Sequence, residues 1–260
     1  MNYLTGKVVI VTGCTGGVGK AVSGLLAAQG AIIAGISRRR DYLFEEEIKN
    51  ISSESTFFNG DMSFYGSCER IFRKIQERYQ SIDILINCAG SIIPGQFEKL
   101  NYEEIDSIIK NNLYSVVYPV RAVLSYMSRQ HNGRIIVIGS LGGIIPMPYE
   151  AVYSSVKFAV RGFSLSIAEE LKGTGIQLSL ISPGSVKTGM LDLEAGDSYS
   201  TISFVQKPMN PEKIAEEVLL IIYKPRREVI LPKNSALMSL AVNRFSFLFG
   251  LLFPVLNILG

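Results

Sequence analysis

The sequence predicts an α/β fold: a doubly wound parallel sheet of about seven strands with helices on both faces, built as a single domain. Three observations carry this expectation. Short apolar segments alternate along the chain with helical segments long enough to serve as crossovers between parallel strands. The strand segments are apolar throughout rather than at every second position, as in a sheet covered on both faces. A glycine-rich turn, Thr12-Gly13-Cys14-Thr15-Gly16-Gly17-Val18-Gly19, joins the first strand to the first helix.

Taken in order, Lys7–Thr12 is an apolar run ending in glycines and reads as the first strand. Val18, Val22, Leu25 and Leu26 recur at helical spacing until Gly30 stops the helix. Ala31–Ile36 is the second strand, Asp41–Asn50 a charged helix, and Thr56–Phe58 the third strand. Ile71 and Ile75 mark the next helix, and Ile82–Asn87 is the fourth strand. Asn101–Gln130 reads as a helix in two pieces, followed by a fifth strand at Arg134–Ile138. A helix over Val152–Leu171 and a sixth strand at Ile176–Ile181 come next. Pro211–Tyr223 is a helix opened by proline at its first turn, and Val229–Leu231 a seventh strand. Gly189–Pro208, polar and rich in small residues, reads as the longest irregular stretch and as a lid over a ligand. No linker or repeat divides residues 1–234, which read as one domain, and 235–260 read as an apolar C-terminal extension.

Composition narrows the function. Of 260 residues, 47% are apolar and 19% charged, which suits a folded chain. A formal charge of +3, with no basic arm or aromatic–basic stripe, argues against nucleic acid as a partner. Cys14, Cys68 and Cys88 have no paired spacing and read as free thiols of a reducing compartment, so the expected location is cytoplasmic. His131 is the only histidine, so no histidine-based metal site is expected. No signal peptide is expected, because Gly6–Thr12 reads as a strand. The extension carries no charge from Phe245 to Gly260 and follows Lys224, Arg226, Arg227 and Lys233, a composition suited to peripheral contact with a membrane. Docking on its own core and completing an oligomer contact are the competing readings. Pro254 and Arg244 interrupt it too soon for a spanning helix.

The glycine-rich turn brings backbone N–H groups at a helix N-terminus within reach of a pyrophosphate, although such a turn also occurs as a purely structural feature. Tyr153-Ser154-Ser155-Val156-Lys157 places tyrosine and lysine on one helix face. A phenol with an ordinary pKa of about 10 becomes a better acid/base beside an ammonium. Taken alone, that spacing is most often plain helix surface. Ser140 ends the fifth strand, at the carboxyl edge where doubly wound sheets bind ligands.

Read together, these motifs resemble the short-chain dehydrogenase/reductase family. Thr12–Gly19 matches its TGxxxGxG turn, Asn87-Cys88-Ala89-Gly90 its NNAG segment with cysteine in second place, and Pro183-Gly184-Ser185-Val186-Lys187-Thr188 its PGxVxT segment. Asp61 after the third strand, Ser140, Tyr153 and Lys157 also fall into place, and the match runs from about Lys7 to Leu231. Asn111 and Asn112 compete for the family's asparagine, and its Asn-Leu pairing selects Asn112. The resemblance implies a Rossmann-type fold and a catalytic set of Asn112, Ser140, Tyr153 and Lys157. In that set Ser140 bonds the carbonyl oxygen, Tyr153 moves the proton, Lys157 tunes Tyr153, and Asn112 holds a water. It also implies cofactor contacts from Gly13, Thr15, Gly17, Val18, Gly19, Ser37, Arg38, Asp61, Met62, Asn87, Ala89 and Gly90. Tyr153, Lys157, Pro183, Gly184, Val186 and Thr188 complete that set.

Charge bears on which nicotinamide cofactor. An acidic residue ending the second strand would hold a ribose diol and repel a 2′-phosphate, whereas arginine accepts that phosphate. Here Ser37-Arg38-Arg39-Arg40 stands there, which points to NADP(H) against the plainer reading of a solvated basic turn. The expectation is an NADP(H)-dependent oxidoreductase interconverting a carbonyl and a secondary alcohol. One alternative is a membrane-surface reductase of a lipid or steroid ketone; the other is a non-enzymatic NADP(H)-binding sensor. A homo-oligomer, dimer or tetramer, is expected through Asn101–Gln130 and Val152–Leu171. Val116, Val117, Val120, Phe158, Phe163 and Leu165 supply either that surface or ordinary core.

Overall fold

Strand alternation sorts the apolar residues into two layers. In β1 (Val8–Thr12), Val9 and Val11 enter one buried cluster while Val8 and Ile10 enter another on the opposite face. The computed structural model describes residues 3–195 and 207–233. Within them, β1 lies beside β2 (Ile32–Ser37) and β4 (Ile84–Asn87), with β3 (Thr56–Asn59) at one edge. On the other side follow β5 (Gly133–Ile138), β6 (Ile176–Pro183) and β7 (Glu228–Leu231). The order β3-β2-β1-β4-β5-β6-β7 is parallel throughout, giving the expected seven strands. The chain reverses direction across the sheet between β1 and β4, so a crevice opens at their carboxyl ends.

Helices cover both faces. α1 (Gly17–Ala28), α2 (Tyr42–Ile51) and α8 (Pro211–Tyr223) pack Val22, Leu26, Phe44, Ile48, Ile214 and Val218 against one face. α3 (Tyr65–Tyr79), α5 (Ser115–Gln130) and α6 (Ala151–Glu170) bring Ile71, Phe72, Val123, Met127, Val156 and Val160 to the other. Each fully buried aliphatic or aromatic side chain contributes about 1.5–3 kcal/mol. Local signals set the helix starts. Asp41 accepts a hydrogen bond from Phe44 N at the head of α2. Asn101 and Glu104 form a reciprocal capping box on α4 (Tyr102–Ile109).

Four departures from the sequence reading have physical causes. β4 begins at Ile84 rather than Ile82, because Ile82 exchanges both backbone hydrogen bonds with the Gln130 side-chain amide. β6 runs on to Pro183, since Ser182 and Pro183 stay in register with Ile230 and Leu231. Between α4 and α5, Lys110–Tyr114 widen into a π-turn, and the Ser115 hydroxyl donates to Asn111 O at 2.6 Å. Gly189–Ala195, read as irregular, is a helix, α7, started where Leu191 N meets Thr188 O; Met190, Leu191 and Leu193 are good helix formers. Pro208 precedes Met209, which bridges back to Val186. The rest of the expected lid, 196–206, and the extension 235–260 lie outside the described residues.

Two ion pairs hold the frame. Asp83 accepts from Lys7 Nζ at 2.7 Å and from Val8 N at 2.9 Å, joining the amino ends of β1 and β4. Arg161 grips Glu228 through two hydrogen bonds of 2.7 and 2.9 Å, fixing α6 to β7. Among the described residues, no helix is long and apolar enough to cross a membrane.

Candidate active site

The crevice between β1 and β4 is shaped by contacts that only glycine allows. Gly13 has φ +65°, and a Cβ there would lie 2.9 Å from Ala89 Cα. A Cβ on Gly19 would sit 2.2 Å from Gly13 O, so the first turn of α1 lies directly on the loop. Behind them, Thr12 Oγ1 donates to Asn87 Oδ1 at 2.5 Å and accepts from Ala89 N at 3.4 Å. Asn87 Nδ2 also donates to Val116 O, so this fully buried amide braces the two strand ends from behind the crevice. Val18, in the first turn of α1, packs its side chain against the core, which leaves its backbone as the part near the loop.

One wall of the cleft is the end of β2. Ser37, Arg38 and Arg39 line it together with Gly13 and Thr15. The three arginines are used differently. Arg40 holds the buried carboxylate of Glu45 through two hydrogen bonds and lies 4.8 Å from the Tyr42 ring centre. Arg38 and Arg39 form no ion pair among the described residues and face the cleft. Arg38 Nη1 donates to Asn111 Oδ1 at 2.8 Å, and Arg38 O accepts from Asn59 Nδ2 at 2.8 Å. The Ser37 hydroxyl donates to Arg39 O and shapes the same turn. Opposite stand Asp61, which accepts from Ser63 N and Oγ, and buried Met62, with Ala89 and Gly90 along the floor.

Farther along, Tyr153 and Lys157 occupy successive turns at the start of α6, both buried. The Lys157 ammonium lies 5.5 Å from the centre of the Tyr153 ring, and its burial pulls its pKa down to about 8. Ser140 stands just past β5, where its Oγ accepts from Gly142 N at 3.0 Å. A Cβ on Gly142 would be 3.4 Å from Ser140 Oγ and 3.5 Å from Tyr153 Cε1, so the two side chains converge on one place. Asn112 is fully buried in the π-turn and donates to Ser91 O at 2.8 Å and Ile108 O at 2.9 Å. A Cβ on Gly90 would lie 3.0 Å from Asn112 Oδ1 and 3.7 Å from Lys157 Nζ. Asn112, Lys157, Tyr153 and Ser140 therefore form one row. Around Tyr153 the wall is apolar: Ile92 and Ile108, then Ile93, Leu100, Val152 and Met190.

The segment after β6 closes the row. Gly184 N donates to Leu231 O, and a Cβ on Gly184 would approach Leu141, next to Ser140, at 3.2 Å. Val186 bridges to Met209, and the Thr188 methyl would meet a Cβ on Gly17 at 2.6 Å. Pro183, Gly184, Val186 and Thr188 thus reach from Ser140 back to the phosphate-loop end. The residue pattern missed Arg39, Gly60, Asn111 and Ser115, which also line the cleft. The run of arginines signals Arg39, but no spacing announces a π-turn that brings both Asn111 and Asn112 inward.

A model of the short chain dehydrogenases matches residues 7–197. The chain belongs to that family. As a short chain dehydrogenase it is an oxidoreductase, with the Rossmann-type fold that the resemblance implied and the seven-stranded sheet that the strand pattern predicted. Relatives agree. A protein called 3-ketodihydrosphingosine reductase from Bacteroides thetaiotaomicron is 34% identical over 186 residues, covering 72% of this chain and 66% of its own. An uncharacterized oxidoreductase of Staphylococcus epidermidis is 28% identical over 219 residues, covering 84% of this chain and 92% of its own. Among solved structures, a short chain dehydrogenase/reductase from Burkholderia phymatum in complex with NAD superposes with a TM-score of 0.86. It is 19% identical, and the match covers 97% of this chain and 96% of that one. At that identity the likeness speaks for the fold.

Proposed function

We propose that this short chain dehydrogenase interconverts a carbonyl and a secondary alcohol with NADP(H). The observation that carries the reading is the convergence of Ser140 and Tyr153 beside a buried Lys157. In the reducing direction, Ser140 Oγ–H holds the substrate carbonyl oxygen and Tyr153 Oη–H delivers a proton to it. Lys157 favours the phenolate that remains. Asn112 Oδ1 and Lys157 Nζ face the same small space over Gly90, where a water linking them would return the proton.

The residues fit a dinucleotide. Backbone packing at Gly13 and Gly19 draws the loop tight, and the amino end of α1, whose Gly16 cap has no side-chain partner, opens onto the cleft beside Gly13 and Thr15. Gly13, Thr15, Gly17, Val18 and Gly19 would hold the pyrophosphate; Asp61, Met62, Ala89 and Gly90 would border the adenosine and ribose, with Asn87 bracing that wall from behind. Tyr153, Lys157, Pro183, Gly184, Val186 and Thr188 would border the nicotinamide. When bound, the reduced nicotinamide supplies a hydride to the carbonyl carbon. Ser37 and Arg38, with Arg39 beside them, support the choice of NADP(H): the cleft end offers guanidinium groups with no carboxylate partner among the described residues. The structural neighbour from Burkholderia phymatum is in complex with NAD, so binding of both cofactors is the measurement that decides between them.

The substrate is a ketone carried on an apolar chain. The uncharged wall of Ile92, Ile93, Leu100, Val152 and Met190 beside Tyr153 supports this, as does the name of the Bacteroides thetaiotaomicron relative. Residues 1–234 would then form the catalytic domain and 235–260 an apolar extension, with the lipid-surface reading resting on that extension's composition. A homo-oligomer belongs to the same reading. Val116 and Val120 are buried in the chain's own core and offer no surface for it, whereas Phe158, Phe163, Leu165 and Val117 are half-buried. Cofactor oxidation followed across ketones of graded chain length, with NADPH and NADH in parallel, tests the whole. Turnover that rises with chain length and prefers NADPH is the expected result; turnover confined to short polar ketones, or absent, overturns it.

A further inference from the structure

Asn111, which the family's Asn-Leu pairing passes over in favour of Asn112, is brought to the cleft by the π-turn. It lines the cleft opposite Arg38, and its Oδ1 accepts from Arg38 Nη1 at 2.8 Å across a gap of 73 positions in sequence. The other end of its amide is fixed as well: Nδ2 donates to Ser107 Oγ at 3.0 Å. Its carbonyl accepts from the Ser115 hydroxyl at 2.6 Å, which pins the backbone at the turn. Arg38 is held from its own side by Asn59 on its backbone carbonyl, while among the described residues its guanidinium is held by Asn111. Arginine loses side-chain freedom when it is fixed, so a partner that fixes it in advance favours whatever it then binds.

We infer that Asn111 is a specificity-determining positioning residue: it holds the Arg38 guanidinium at the adenosine end of the cleft, aimed for the 2′-phosphate that distinguishes NADP(H) from NAD(H). This rests on the reading of Arg38 as the phosphate partner. The amide does what a carboxylate there would undo. Asn111 accepts one N–H of Arg38 and leaves the positive charge whole, while its neighbour Asn112 faces Lys157 at the other end of the row. A single π-turn therefore serves both ends of the cleft, and an ordinary α-turn would change the facing of one asparagine or the other.

The test is direct binding of NADP⁺ and NAD⁺, by calorimetry or protein fluorescence, to wild type, N111A, N111D, R38A and the double variant N111A/R38A. Loss of one hydrogen bond predicts that N111A lowers the NADP⁺-over-NAD⁺ preference about fivefold. N111D keeps the size of the side chain and both of its hydrogen-bonding partners but neutralises the guanidinium, so it should lower the preference further while melting like wild type. In the R38A background, removing Asn111 should leave the preference unchanged. Equal weakening of both cofactors by N111A, or the same shift with and without Arg38, would overturn the positioning role while leaving Arg38 in place. If R38A itself binds the two cofactors in the wild-type ratio, the reading of Arg38 falls and the inference with it.

Discussion

The Lys157 ammonium lies 5.5 Å from the centre of the Tyr153 ring, close enough to bias the phenol yet buried away from water. Tyr153 in turn is the phenol that converges with Ser140, so Tyr153→Phe removes the proton donor of the proposed reaction while keeping the ring beside Lys157. Loss of a positioned general acid is expected to lower turnover by about 10²–10⁴-fold. Cofactor affinity, read by fluorescence titration, should stay near wild type. Activity within a few fold of wild type would rule Tyr153 out.

Lys157→Met should cost both turnover and cofactor affinity, since the same ammonium faces Tyr153 and the space over Gly90. Stability should move the other way. Burial holds the folded-state pKa at about 8, below the ordinary 10.5 of lysine. Between those values the unfolded chain binds more protons than the folded one, so wild-type stability rises with pH across that window. Below it, folding carries the full cost of a buried charge. The methionine variant has no such group. In urea unfolding without cofactor it should be the more stable protein at pH 7, with the gap narrowing as pH climbs through 8 toward 10.5. A gap that does not change with pH would refute this account of Lys157.

Much of this arrangement was legible in the residues. The continuous apolar strands and the glycine turn announce a doubly wound sheet, because both follow from local rules of burial and backbone freedom. Ser140 is visible at the carboxyl edge of a predicted strand, whereas the Tyr153–Lys157 spacing, common on helix surfaces, gains its meaning only from the family resemblance. The Arg38–Asn111 contact is not visible, since it spans two walls and depends on a π-turn that no periodicity marks. Likewise α7 escaped notice: the polar residues that follow it drew the whole stretch toward a loop, although Met190, Leu191 and Leu193 favour a helix.

Arg38→Ala and Arg40→Ala should part company. Charge-assisted contacts to a phosphate are worth roughly 1.5–3 kcal/mol, so Arg38→Ala should shift cofactor preference toward NADH by about tenfold or more. Arg40 is engaged with Glu45 and Tyr42, so its loss should lower the melting temperature and leave the preference alone. Dissociation constants for both cofactors check each variant; equal effects from the two arginines would contradict the division of roles.

Gly19→Ala tests the cradle. Its new methyl would sit 2.2 Å from Gly13 O, and neither backbone segment has room to retreat because Gly13 is itself packed against Ala89. Overpacking of this kind costs about 1–3 kcal/mol. NADP⁺ and NAD⁺ should weaken together, since the pyrophosphate is common to both. A change in preference without a loss of affinity would place Gly19 outside the phosphate loop's function.

Ala159→Arg addresses the oligomer. Ala151, Ser155 and Ala159 are exposed at successive turns of α6 and border an apolar groove lined by Phe97, Ile109, Leu113, Val152 and Val156. Small residues at that spacing let a second helix approach closely, and a groove of this kind left open would expose apolar side chains to water. A second copy pairing along α5 and α6 would cover it, and the two-fold symmetry usual for homodimers would set each Ala159 against its mate's helix. An arginine there adds bulk and places like charges near the axis. Sedimentation velocity should find the wild type as a dimer or tetramer whose melting temperature falls with dilution, and the variant as a smaller species with a lower melting temperature. A wild type that sediments as a monomer at every concentration would remove the oligomer from the proposed function, and a variant that still assembles would move the interface to another face.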